Sequence, residues 1–236
     1  MTGNERTHPG QTVYFDELAE LFERFAADTD CIYRGWVERT IPPRGRRAVD
    51  LGCGSGRFIN VLASRYEDVL AVDIAAREIE MAKATHSHPN VTYQVRSLLD
   101  VDPGRDGVFD LVFSVNTIHH LRAHDQVLPH IKSLLAPRGH AVLIDIVDPG
   151  QWTSRDWHIE EAFRDALDSY RNRSRDHNAA ADVLRLRLHP AWLDHVTTNI
   201  PLSRPLFHSA YRAVFPGGQF TFDLNYVVAA VHWQAP

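Results

Sequence analysis

The chain has 236 residues, 44% hydrophobic and 23% charged, with a formal net charge of −5. That is enough apolar material for one domain with an elaboration, and the acidic balance argues against a nucleic-acid partner, which a basic face would meet. Two cysteines, Cys31 and Cys53, make neither a disulfide framework nor a metal ligand set. With a polar N-terminus and no apolar run of bilayer length, a reducing cytoplasmic setting and no membrane partner are expected.

The first dozen residues read as loosely held. Phe15, Leu18, Phe22 and Phe25 then recur at helical spacing. A second short helix is expected through Ile32, Trp36 and Val37, stopped by Pro42-Pro43. From Arg47 onward, short apolar runs alternate with amphipathic stretches, the pattern of βαβ units around a parallel sheet. Strands are expected at 48–51, 69–72, 91–95, 109–115 and 141–146. Helices are expected at about 57–66, 75–84 and 125–135, the last with Pro129 in its first turn and Pro137 and Gly139 marking its end. Residues 149–205 break the alternation and read as helices. Ile159, Phe163, Leu167 and Tyr170 form one stripe there, and Trp192, Leu193 and Val196 another. A helix over 205–215 follows. The last two strands, 220–224 and 226–233, are separated by almost nothing, so they can pair only as an antiparallel hairpin at a sheet edge.

The most informative segment is Asp50-Leu51-Gly52-Cys53-Gly54-Ser55-Gly56-Arg57. A buried strand runs into a glycine-rich turn and then a helix. Glycines let the backbone turn sharply and let a ligand sit on main-chain N–H groups. Asp73 follows the next strand, 19 positions past Gly54, where a carboxylate can accept from both hydroxyls of an adenosine ribose. The dinucleotide fingerprint needs a third glycine where this chain has Arg57. Asp50, two residues before the first glycine, would repel a pyrophosphate and suits a cationic ligand.

VDLGCGSGRF, LAVDIA, FDLVFSVNTIHHL and LLAPRGHAVLIDI together resemble the class I S-adenosylmethionine-dependent methyltransferases over about 47–147, and the terminal PGGQFTFDLNYVVAAVHW resembles that family's closing hairpin. The resemblance implies a Rossmann-like α/β fold. Its seven-stranded sheet would be mostly parallel with a C-terminal antiparallel hairpin and helices on both faces. It also implies one domain, divided into N-terminal helices (1–46), a cofactor-binding core (47–148), a helical lid (149–215) and the hairpin (216–236). S-adenosylmethionine is the implied cofactor and S-adenosylhomocysteine its product. Gly52, Cys53 and Gly54 would line the methionine part with Asp50 nearby. Asp73 would hold the ribose and Ile74 pack on the adenine. Ser97 and Leu98 would touch the adenine where the family often has a small residue and an acid; the acid is absent here, although Asp100 is close. Asn116 would sit beside the methionine moiety, and Tyr14 would close over the cofactor. Asp110 is expected to be structural.

His119-His120 follows the fourth strand, at the carboxyl edge where α/β sheets build their sites. Either histidine could take a proton as the methyl group arrives, or serve packing alone. Asp145 ends the fifth strand at the same edge and could orient a donor group or a histidine. His189 and His195 read as surface residues of the helical segment. Residues 155–176 read as a solvated face, and Trp152, Trp157, Phe163, Tyr170 and Trp192 as core or as the lining of an apolar acceptor cavity. No metal site is expected: the fourth-strand end offers Asn116, and Asp145-Ile146 replaces an acidic pair. The expected activity is methyl transfer to oxygen or nitrogen of a small molecule by a monomer or homodimer. The alternative is a protein of this fold that binds the cofactor but runs another reaction, such as a cyclisation.

Overall fold

The computed structural model describes residues 9–172 and 175–236; between 9 and 32, side chains are described only for Leu18 and for residues 20–26. A helix, α1 (Pro9–Thr40), leads into β1 (Gly45–Leu51), α2 (Ile59–Ala63), β2 (Tyr66–Asp73), α3 (Ala76–Thr85), β3 (Val91–Val95), α4 (Pro103–Asp106), β4 (Phe109–Val115), α5 (His124–Ser133) and β5 (Leu135–Ile146). Three helices follow: α6 (Arg155–Asn172), α7 (His177–Arg187) and α8 (Pro190–Thr198). The chain closes with α9 (Arg204–Val214), β6 (Gln219–Asn225) and β7 (Val228–Gln234).

The sheet order is β3-β2-β1-β4-β5-β7-β6. The pairs among β1 to β5 are parallel, and β7 runs antiparallel to both β5 and β6. Alternation along the strands divides the core between the two faces of the sheet. Val49, Leu51, Val112, Leu143 and Val231 face α5 and α9, packing with Val127, Ile131, Phe207 and Tyr211. Ala48, Val69, Phe113, Ile144 and Ala230 face the other way, against Tyr33 and Val37 of α1, Ile59 and Leu62 of α2 and Ile79 of α3. The chain reverses direction across the sheet between β1 and β4, so a crevice opens at their carboxyl ends. Leu18 and Leu186 form a third cluster with Phe22, Phe25 and Trp192, seating the first half of α1 on α7 and α8.

Several local expectations are corrected. The two N-terminal helices are one: no glycine or proline lies between Gly10 and Gly35, and helix already begins at Pro9. The helix expected over 57–66 shortens to α2, because Arg57 and Phe58 are spent on the glycine turn. Pro129 lies well inside α5 instead of in its first turn, and Pro137 and Gly139 fall within β5. The stripe on α6 is not the buried face: Phe163 and Leu167 are exposed and Ile159 and Tyr170 half-buried, while Trp157, His158, Glu161, Ala162, Ala166 and Ser169 are buried. The charged reading of 155–176 therefore holds for the outer face only. Asp110 is structural, its carboxylate accepting from the Arg46 and Arg47 N–H groups at 2.7 and 2.9 Å.

Candidate active site

Three glycines of the turn after β1 have positive φ: Gly52 (76°), Gly54 (51°) and Gly56 (85°). A Cβ on Gly52 would stand 2.2 Å from Thr117 Cγ2, so the loop must pass against the turn after β4. A Cβ on Gly54 would meet only Glu78 Oε2, at 3.5 Å, and would otherwise fill open space. Asp73 ties this loop to the next helix: its carboxylate accepts from Gly54 N–H and from Ala75 N–H, each at 2.9 Å. Asp73 thus supports the start of α3 and also forms part of the cavity wall.

That cavity has a volume of about 300 Å³. Its wall includes Gly52, Cys53, Gly54, Asp73, Ile74, Ser97, Leu98 and Asn116, the expected cofactor residues. Asp50 does not reach the wall. It is buried beneath the loop in β1, and burial together with the nearby Asp73 pushes its carboxyl up to about 8. Glu78, also buried, joins the wall and was not expected; a glutamate in the first turn of a helix ordinarily points to water, so the sequence carries no signal for it. Asp50, Asp73 and Glu78 surround Cys53, and their field adds to burial in raising its thiol. Asn116 holds a positive φ of 54° at the end of β4, and its Oδ1 is buried without a hydrogen-bond partner. The Ser97 hydroxyl accepts from Leu99 N–H at 3.2 Å, and Asp100 is exposed, away from the wall. Tyr14 lies outside the residues whose side chains are described.

The same cavity is lined by His119, His120 and His195. His119 is buried, with Nδ1 2.6 Å from Asp145 Oδ1. The same carboxylate accepts from Ile146 N–H at 3.0 Å and from the Tyr211 hydroxyl at 3.4 Å. The His120 ring lies 3.9 Å from that of His119 and 5.1 Å from that of His195 on α8, centroid to centroid. Burial, His119 and then His195 hold His120 well below the usual imidazole range. Burial and then His119 lower His195 to about 4. His195 is therefore part of the site and not a surface residue, whereas His189 caps α8, accepting from Ala191 N–H at 3.3 Å.

Trp152, Trp157 and Trp192 line the cavity; Phe163 and Tyr170 do not. His158, Asp165, Arg187 and Tyr226 also line it and were not foreseen. Arg187 pairs with Asp165 at 2.5 Å and lies over the Trp192 and Phe25 rings. Among the described residues no cluster of metal-ligating side chains occurs, and no helix is long and apolar enough to cross a membrane.

Residues 49–143 match the methyltransferase domain family. A ubiquinone biosynthesis O-methyltransferase of Xanthomonas axonopodis pv. citri (strain 306) is 29% identical over 46% of this chain and 46% of that protein. A trans-aconitate 2-methyltransferase of Variovorax paradoxus (strain S110) is 29% identical over 50% of this chain and 46% of that protein. The match thus spans about half the length of these curated relatives. The structure of a DhpI–SAH complex superimposes with a TM-score of 0.65 at 17% identity, covering 96% of each chain, and shares the fold. The glycine turn, Asp73 and the seven-stranded sheet thus stand together in a chain whose residues 49–143 are similar to the methyltransferase domain family.

Proposed function

We propose that the chain transfers the methyl group of S-adenosylmethionine to oxygen or nitrogen of a small acceptor, with His119 taking the acceptor's proton. The observation that carries this reading is one cavity lined both by the glycine turn with Asp73 and by His119, whose ring Asp145 holds. The residues present suit the cofactor. Asp73 and Glu78, joined by Asp50 once a bound cation draws off its proton, give the loop the negative potential that a sulfonium and an ammonium need. The buried Asn116 Oδ1 lacks a partner that such a cation would supply, and the open side of Gly54 leaves room for a ligand against the backbone. When bound, the sulfonium supplies a methyl group already activated for in-line displacement, so much of the work left to the protein is positioning.

The chain's own residues do the rest. Asp73, already oriented by two N–H groups, holds ribose hydroxyls on its remaining lone pairs. The Asp145 carboxylate accepts from His119 Nδ1–H, which leaves the Nε2 lone pair as the base. A base of this kind contributes typically about 10² to 10⁴-fold. Trp152, Trp157 and Trp192 give the acceptor end an apolar, water-excluding wall. The O-methyltransferases among the relatives and the SAH-bound DhpI support a small acceptor and this cofactor. The reading in which the cofactor serves a cyclisation draws on no residue of its own in the site.

Calorimetric titration with S-adenosylhomocysteine, with NADH in parallel and Asp73→Ala as control, tests the cofactor. Binding of the first alone, weakened in the variant, is expected. Preference for NADH would overturn the reading.

A further inference from the structure

His119 and His120 are neighbours in the chain but receive opposite hydrogen bonds. Asn199, the residue that ends α8, is buried at 8% exposure. Its backbone carbonyl accepts from Trp152 Nε1–H at 3.1 Å, which fixes the end of the helix against the segment after β5. Its side-chain Nδ2 lies 2.8 Å from His120 Nδ1. An amide nitrogen can only donate, so Nδ1 of His120 must present its lone pair, and the proton of the neutral ring then sits on Nε2. Asp145 imposes the reverse on His119: an ionised carboxylate only accepts, so Nδ1 carries the proton and Nε2 the lone pair.

We propose that Asn199 is a positioning residue that locks His120 in the Nε2–H tautomer, so that of the two adjacent imidazoles only His119 can act as base. For its catalytic meaning this rests on the methyl-transfer reading. The arrangement answers a problem that two adjoining imidazoles raise. A proton collected by His119 could pass to its neighbour, or the two rings could compete for the acceptor. Asn199 removes both routes, because a ring that accepts at Nδ1 and carries its proton at Nε2 cannot take up a second proton without breaking the Asn199 bond. Burial and the two flanking histidines disfavour that second proton as well. The proton taken at His119 Nε2 stays on the imidazolium that Asp145 stabilises, and it leaves to solvent with the product. Because Asn199 caps the end of α8, this division of roles exists only while that end is seated over the turn after β4.

The test is the tautomeric state of each ring, read by long-range ¹H–¹⁵N correlation on the histidine-labelled full chain, with signals assigned through His119→Gln and His120→Gln. The expected wild-type pattern is a protonated Nδ1 in His119 and a protonated Nε2 in His120. Asn199→Asp, whose carboxylate accepts, is expected to move the His120 proton to Nδ1 or to protonate both nitrogens near neutral pH. Asn199→Leu is expected to give mixed His120 tautomers, and His119 should keep its signature in both. A wild-type His120 protonated at Nδ1 would overturn the proposal, and that measurement needs no variant of Asn199 to fold. An Asn199→Asp protein whose His120 signature is unchanged would do the same. The spectra are taken without cofactor or acceptor, so this inference can fail while binding of S-adenosylhomocysteine stands, and the converse.

Discussion

His119 Nδ1 and Asp145 Oδ1 lie 2.6 Å apart, although one residue stands on the turn after β4 and the other near the end of β5. The parallel pairing Val115↔Ile144 brings the two strand ends together, and the Ile146 N–H and the Tyr211 hydroxyl hold the carboxylate from two further sides. Asp145→Asn keeps the volume but offers a nitrogen as well as an oxygen, so the His119 tautomer is no longer imposed. We expect kcat for methyl transfer to fall about 10²-fold or more, with S-adenosylhomocysteine affinity unchanged by calorimetry. A variant that loses cofactor affinity and keeps kcat would assign Asp145 to binding instead.

The glycine turn separates two kinds of damage. Gly52→Ala places a methyl group against Thr117, whose hydroxyl donates to the Gly52 and Val115 carbonyls. It also forces φ of 76° on an alanine. We expect a loss of at least about 1 kcal/mol in urea unfolding. Gly54→Ala meets little protein, so its methyl group enters the space against the loop. Its loss of stability should be the smaller of the two, while S-adenosylhomocysteine binding falls about tenfold or more, roughly 1.4 kcal/mol. Equal unfolding midpoints for the two variants would contradict this difference in packing.

These two sites differ in how far the sequence reveals them. The loop and Asp73 are local: spacing along one βαβ unit places them, and the alternating apolar strands give the sheet. His119 and Asp145 are legible as candidates because both follow from strand ends at one edge. Asn199, His195, His158 and Arg187 are not, because their places depend on how α6, α7 and α8 pack, and no short-range pattern encodes that. On α6 the pattern even misleads, since Phe163 faces out while Glu161 and His158 are buried. Glu161 is tolerated inside because Arg164 and the Tyr226 hydroxyl both reach its carboxylate.

The fold should lose stability on mild acidification. His140 Nδ1 and His232 Nε2 share a hydrogen bond at 2.9 Å between β5 and β7. Burial lowers both rings below 6.5, with His140 adding to the effect on His232. A histidine with a lowered folded pKa binds fewer protons in the fold than in the unfolded chain. Its cost is therefore absent well above pH 6.5 and grows as pH falls below it. His120, His158 and His195 shift in the same direction. We expect Tm to drop between pH 7 and pH 5 and the drop to be shallower in a His140→Val/His232→Val protein. An identical slope in that protein would show that the pair takes no part.

Asp50 works with the opposite sign and links the fold to its ligand. Its carboxyl is raised from an ordinary 3.8 to about 8, by burial first and Asp73 second. Between those values the folded chain holds a proton that the unfolded chain releases, so stability falls as pH rises through the window. Asp50→Asn removes the titrating group and should make the ligand-free protein more resistant to heat at pH 8 than wild type. A cation settling on the loop reverses the preference, because the charged carboxylate then has a partner. Near pH 7 the binding of S-adenosylmethionine should release close to one proton. The observed calorimetric heat should then differ between Tris and phosphate by close to the difference in their ionisation enthalpies. Asp50→Asn should abolish that difference and weaken binding. Buffer-independent heat in the wild type would mean that Asp50 stays neutral beneath the loop, and that the negative potential felt by the cofactor comes from Asp73 and Glu78 alone.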